Sequence, residues 1–200
     1  MACPAGPEGA LPGRGGNMRI VAIAGSLREG SLNRQLAGLA GESLARLDPS
    51  IDFEVLDWSD VPPLSEDIEH PAPEAVTRVR AEVAAADGVW FFTPEYNHFF
   101  PGVEKNLVDW LSRPQEGGAP QVLAGKPIAI SGITPGMDGT AIAQDHLVTL
   151  LSFLDCHVMN KPRLTIPSGF SLVKDGILDL GDGAKRLDAQ ARAFVAFIGR

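Results

Sequence analysis

Three short stretches of this chain concentrate the residue types that grip small ligands. The first, Gly25-Ser26-Leu27-Arg28-Glu29-Gly30-Ser31-Leu32-Asn33, follows the apolar run Ile20 to Ala24 and leads into a helical pattern. At such a junction the first backbone N–H groups of the helix are unpaired and lie at the positive end of its dipole, which favours an anion. Ser26, Ser31 and Asn33 add neutral donors, Arg28 adds a charge, and Gly25 and Gly30 let the backbone turn tightly. The competing reading is an ordinary turn in which Ser31 only caps the helix, and the loop alone does not separate the two. It lacks the Lys-Ser/Thr ending of a nucleoside triphosphatase loop and the glycine spacing of a dinucleotide-binding turn. A ligand ending in a single phosphate fits what remains.

The second stretch, Thr93-Pro94-Glu95-Tyr96-Asn97-His98-Phe99-Phe100-Pro101-Gly102, packs two prolines, a carboxylate, an amide and three aromatics behind an apolar strand pattern. Stiff polar and aromatic surface of that kind suits a planar ligand. The third, Ser131-Gly132-Ile133-Thr134-Pro135-Gly136-Met137-Asp138-Gly139, offers bare backbone at another strand end. Together the three suit a phosphate, a linker and a flat heterocycle. His70, His98, His146 and His157 have no metal-like spacing, so no metal site is expected. His98, beside Asn97, has either a proton-donating or a packing role. Neither a Ser–His–Asp or Cys–His set nor a catalytic carboxylate pair emerges.

The elements that must position these loops follow from hydrophobic periodicity. Strands are expected at Arg19 to Ala24, Ile51 to Leu56, Val89 to Thr93, Pro127 to Ser131 and Val158-Met159. Between them run helical stripes: Leu32, Leu36, Leu44 and Leu47; Val76, Val79 and Val83; Val103, Leu107, Trp110 and Leu111; Thr140 to Leu154; and finally Leu187, Ala191, Phe194, Val195 and Ile198. Alternation of this kind gives a flavodoxin-like three-layer α/β/α sandwich, a five-stranded parallel sheet in the order 2-1-3-4-5. Ligands bind there outside the carboxyl ends of the strands, where the winding reverses, and the crevice gathers loops 25–33, 94–100 and 131–139.

With 200 residues, 44% hydrophobic and 21% charged, the chain suits one domain with a full core. A formal net charge of −8 argues against nucleic acid or an anionic membrane as partner, and no apolar run is long enough to span a bilayer. Residues 1–17, crowded with Pro, Gly and Ala, read as a disordered tail ahead of a domain at 18–200. Cys3 in that tail and Cys156 near a buried strand suggest free thiols and a cytoplasmic location. The acidic run Glu66, Asp67 and Glu69 reads as solvated surface, and Ser112-Arg113 as a helix end or a subunit contact.

The loop Gly25 to Asn33, the block Pro94-Glu95-Tyr96-Asn97 with Pro101-Gly102-Val103 and Lys105-Asn106, and the run Asp109-Trp110-Leu111-Ser112-Arg113-Pro114 together resemble the NADPH-dependent FMN reductases, a family that includes bacterial quinone, chromate and azo reductases. The resemblance extends from Met18 to about Pro162. It implies that Ser26, Arg28, Ser31 and Asn33 hold the FMN phosphate, that Pro94, Glu95, Tyr96 and Asn97 border the isoalloxazine ring, and that Ser131 and Gly132 lie beside ring and ribityl chain. It further implies hydride transfer from NADPH or NADH through FMN to a small-molecule electron acceptor in a ping-pong cycle. A homodimer or homotetramer is implied as well, with the Phe99-Phe100 pair as an exposed patch needing cover. The rival is an FMN-binding electron carrier or redox sensor without NAD(P)H turnover. The chain departs from the family pattern in the residues after Gly139 and in the bulky His98-Phe99-Phe100, which bear on substrate range.

Overall fold

Apolar residues occupy both faces of strand β1 (Arg19–Ala24), which is buried from its second residue on and must therefore lie between two helical layers. The computed structural model, which describes residues 17–199, shows this arrangement; Cys3 and the expected tail apart from Asn17 lie outside the described residues. The remaining main strands are β2 (Asp52–Val55), β3 (Gly88–Phe92), β4 (Pro127–Ile133) and β5 (His157–Val158), all parallel in the order β2-β1-β3-β4-β5. Helices α1 (Leu32–Leu47) and α5 (Ala184–Ile198) cover one face, where Ile20, Ala22, Trp90 and Phe92 meet Leu36, Leu44 and Phe194. Helices α2 (Glu74–Ala85), α3 (Gly102–Leu111) and α4 (Ala141–Phe153) cover the other, where Val21, Ile23, Val89, Phe91 and Ile130 meet Val79, Leu107 and Leu147. Successive strand residues thus serve opposite layers, as the pleat requires.

The edge position beyond β4 is shared. A further strand, β6 (Leu164–Ile166), pairs with Ser131, Gly132 and Ile133, while β5 pairs with Pro127 and Ile128. This second partner carries β4 two residues past the end expected at Ser131, so Ser131 and Gly132 belong to the strand and not to the loop. A small hairpin, β7 (Val173–Lys174) and β8 (Ile177–Leu178), completes the set. Its turn, Asp175-Gly176 with φ of 51° and 81°, is the Asp-Gly signal for a tight hairpin. No helix among the described residues is long and apolar enough to cross a membrane.

Candidate active site

The three ligand-competent loops converge at the carboxyl ends of β1, β3 and β4, on either side of the reversal between β1 and β3. Ser31 caps α1: its Oγ accepts from the Arg34 N–H at 3.3 Å, and its own N–H donates to the Arg28 carbonyl at 3.0 Å. The hydroxyl proton of Ser31 stays unspent. Ser26 is buried and its hydroxyl makes no hydrogen bond among the described residues. Arg28 is exposed and forms no ion pair among the described residues; its guanidinium lies over Gly30, where an added Cβ would meet Nη1 at 3.1 Å. Two hydroxyl donors and a mobile cation therefore stand at the amino end of a 16-residue helix.

Asn33, expected at the phosphate, has a scaffold contact. It is 3% exposed, donates from Nδ2 to the Ile133 carbonyl at 2.9 Å and accepts the Ile133 N–H at 3.0 Å. Its Oδ1 and one of its two Nδ2 protons thus clamp α1 to the end of β4. Ser131 likewise is fully buried and faces the α5 layer, accepting from Trp90 Nε1 at 2.8 Å and donating to Gln190 Oε1 at 2.7 Å. Gln190 also donates to the Ile130 carbonyl at 2.8 Å, so this trio fixes β4 from below. Gly132 marks a close approach: a Cβ there would lie 2.2 Å from Thr140 Oγ1 and 2.3 Å from the Thr93 carbonyl. Ser131 and Gly132 are thus strand residues paired with β6, with the Ser131 hydroxyl bonded inside the scaffold.

In the second loop Pro94 is buried, Glu95 is half-buried, and Tyr96 and Asn97 are exposed. Tyr96 and Phe99 exchange backbone hydrogen bonds of 2.8 and 3.0 Å around a two-residue turn, with Asn97 at φ 53° and His98 at φ 59°. Asparagine and histidine are among the side chains that best tolerate this left-handed region. Glu95 Oε2 accepts the Ala143 N–H in the first turn of α4 at 3.1 Å, while Oε1 lies 3.4 Å from His98 Nδ1. Asp138 of the third loop joins them, so that Glu95, His98 and Asp138 bring one ligating atom each within 4.8 Å of one another. Sequence spacing hid this cluster because its members come from two loops. Phe99 stacks obliquely on Phe100 and His146 at 4.4 and 4.5 Å, and only Phe99 of the expected exposed pair reaches solvent; Phe100 is buried.

Glu104 went unnoticed in the sequence and is fully buried, with Oε2 2.6 Å from Thr93 Oγ1. Burial, opposed only by that hydrogen bond, pushes its carboxyl up to about 8. Its position three before Leu107 and seven before Leu111, on the apolar stripe of α3, was the available signal. One surface reading also changes, that of Glu69, while Cys156 is buried as expected. Glu69 is buried and held by Arg113 through paired contacts of 2.8 Å, which keep its carboxyl below the usual range. Cys156 is buried and its thiol pushed up to about 12, which removes it as a nucleophile.

Parallel topology, an anion-ready helix start and a stiff aromatic loop across the reversal define a flavodoxin-like, mononucleotide-binding protein. The hydroxyl protons of Ser26 and Ser31 and the Arg28 guanidinium, none with a partner among the described residues, are chemically suited to a phosphate group at the β1–α1 turn. A family model described as NADPH-dependent FMN reductase matches residues 18–171, and the chain belongs to that family. It is an oxidoreductase whose cofactor is FMN and whose electron donor is NAD(P)H. It is 42% identical over 153 residues to an NAD(P)H-dependent FMN reductase of Pseudomonas aeruginosa, covering 76% of this chain and 79% of that one. A 2-hydroxy-1,4-benzoquinone reductase of Burkholderia is 42% identical over 150 residues, covering 74% and 78%. Among solved structures, the NAD(P)H:acceptor oxidoreductase FerB of Paracoccus denitrificans superposes with a TM-score of 0.78 at 33% identity, covering 90% of this chain and 97% of that one.

Proposed function

We propose that this protein is an FMN-dependent quinone reductase in which donor and acceptor use the crevice mouth in turn, a ping-pong cycle. The observation that carries the site assignment is the pair of hydroxyls Ser26 and Ser31, whose protons have no acceptor among the described residues, beside Arg28, which has no ion pair among them, at the start of α1. These groups and the first-turn N–H groups hold the phosphate. Pro94, Glu95, Tyr96 and Asn97 border the ring, with Asn33, Ser131 and Gly132 fixing the strand ends beneath it. Bound FMN supplies hydride acceptance from NAD(P)H and onward delivery of electrons; the protein's part is to orient, exclude water and offer hydrogen bonds to charge that develops on the ring.

A quinone acceptor is supported by the names of the relatives and by the apolar rim of the crevice, where Tyr96, Phe99, Val103, Met137 and Ile142 are all more than a third exposed. Azo compounds and chromate belong to the wider range to be tried. The same rim favours a homodimer or homotetramer that covers part of it, with a single species larger than 21.2 kDa expected in sedimentation velocity. We take residues 18–200 to act as one domain. The functional test is anaerobic mixing of the FMN-loaded protein with NADPH and NADH, followed by benzoquinone. Rapid bleaching by nucleotide and recolouring by quinone supports the reading; a flavin that neither nucleotide bleaches makes the protein a carrier or sensor.

A further inference from the structure

An acidic residue in the first turn of a helix normally faces water, where the dipole rewards its charge, or turns back to cap the N–H preceding the helix. Glu104 does neither. It is the third residue of α3, but the capping position belongs to Pro101, which has no N–H to receive it. Its side chain is instead fully buried between the phosphate loop and the ring loop. A Cβ on Gly25 would lie 2.2 Å from Glu104 Oε2 and 3.2 Å from Pro94 Cδ, so the carboxyl fills the space that the missing side chain of Gly25 leaves. Gly25 in turn donates its N–H to the Phe92 carbonyl at 2.9 Å, binding the start of the phosphate loop to the end of β3.

The hydrogen bonds indicate which form of the carboxyl occupies this wedge. Thr93 Oγ1 lies 2.6 Å from Glu104 Oε2 and 3.0 Å from the Pro94 carbonyl. The threonine hydroxyl has one proton and the carbonyl only accepts. Both contacts are satisfied together when Thr93 donates to Pro94 and a protonated Glu104 donates to Thr93. The hydrogen-bond partner of the carboxyl, Thr93, and Gly25 and Pro94 beside it carry no titratable side chain. Arg28 and Glu95 of the same loops are not among the influences on it, and Glu104 Oε1 has no hydrogen-bond partner among the described residues.

From this geometry we propose that Glu104 is a positioning residue, a neutral carboxylic acid that wedges the phosphate loop against the ring loop and holds both in the form that takes FMN. The inference rests on the FMN site proposed above. Ionisation would place a charge without counter-ion beneath a pocket that must accept a phosphate, so flavin binding and the proton on Glu104 support one another. Alkaline pH then loosens FMN.

The test is the dissociation constant for FMN, read by quenching of flavin fluorescence on the intact chain from pH 6 to 9.5, for the wild type and Glu104→Gln. Glutamine keeps the shape and cannot ionise, and it retains any titration of the flavin itself, so the difference between the two profiles reports Glu104. The expected result is a wild-type dissociation constant that rises above pH 8, approaching tenfold per unit, while the variant changes less than threefold. Parallel profiles overturn the proposal and leave the FMN site standing. Failure of the wild type to bind FMN at any pH overturns the FMN reading and this inference with it. Should Glu104→Gln not fold, Glu104→Leu serves in the same comparison, with the same loss of pH dependence expected.

Discussion

At the scale of single residues, two members of the first loop that look alike in sequence do opposite work. Arg28 is exposed without an ion pair, so Arg28→Ala should leave the unfolding free energy of the flavin-free protein within about 0.5 kcal/mol. Loss of a charge-assisted contact worth about 1.5–3 kcal/mol should weaken FMN binding by roughly 10- to 150-fold, as a flavin titration would read. Asn33 has the reverse profile. Removing its buried amide strands both polar groups of the Ile133 peptide, and Asn33→Ala should cost about 2–3 kcal/mol in urea unfolding even without flavin. Residue type alone suggested a ligand contact for both; burial separates them, leaving Arg28 exposed and Asn33 bonded to the scaffold.

At the scale of elements, β4 decides how the crevice is built. Its last three residues pair with β6, are clamped by Asn33 from α1, and press against Thr93 and Thr140 at Gly132. Gly132→Ala should destabilise the protein by about 1–3 kcal/mol, since the Thr93 carbonyl 2.3 Å from the new Cβ is backbone and cannot rotate away; differential scanning calorimetry would show it. The five main strands and their order were legible because apolar runs such as Val89 to Phe92 and helical stripes such as Val76, Val79 and Val83 carry strong periodicity. β5 was expected one residue late, at Val158-Met159, and the three-residue β6 was not expected at all, because it is too short to show a period and its identity depends on pairing with β4. The same limit applies to the Ser131 hydroxyl, whose partners Trp90 and Gln190 are distant in the chain.

For the molecule as a whole, stability is bounded on both sides of neutral pH. Glu69, lowered by hydrogen bonds from Arg113, and Asp188, lowered first by the Ser43 hydroxyl, stabilise the fold above the ordinary carboxylate range and cease to do so as pH falls through their lowered values. Glu104 works the other way. Its folded value of about 8 exceeds the ordinary glutamate value of 4.5, so the unfolded chain gives up that proton more readily and stability declines as pH climbs from about 4.5 to about 8. Urea unfolding at intervals from pH 3 to 9 should therefore show a maximum on the acidic side of neutrality. In Glu104→Gln the alkaline decline should flatten.

The peg that Gln190 drives into β4 also has a consequence for biosynthesis. Every loop of the crevice precedes α5 in the chain, yet the strand that closes the crevice is held at Ile130 and Ser131 from α5. A growing polypeptide that has released all three loops still lacks the part that sets their spacing. The crevice is therefore complete only once α5 has packed against β4, and a chain cut before Ala184 is expected to bind FMN more weakly than the full chain in a flavin titration.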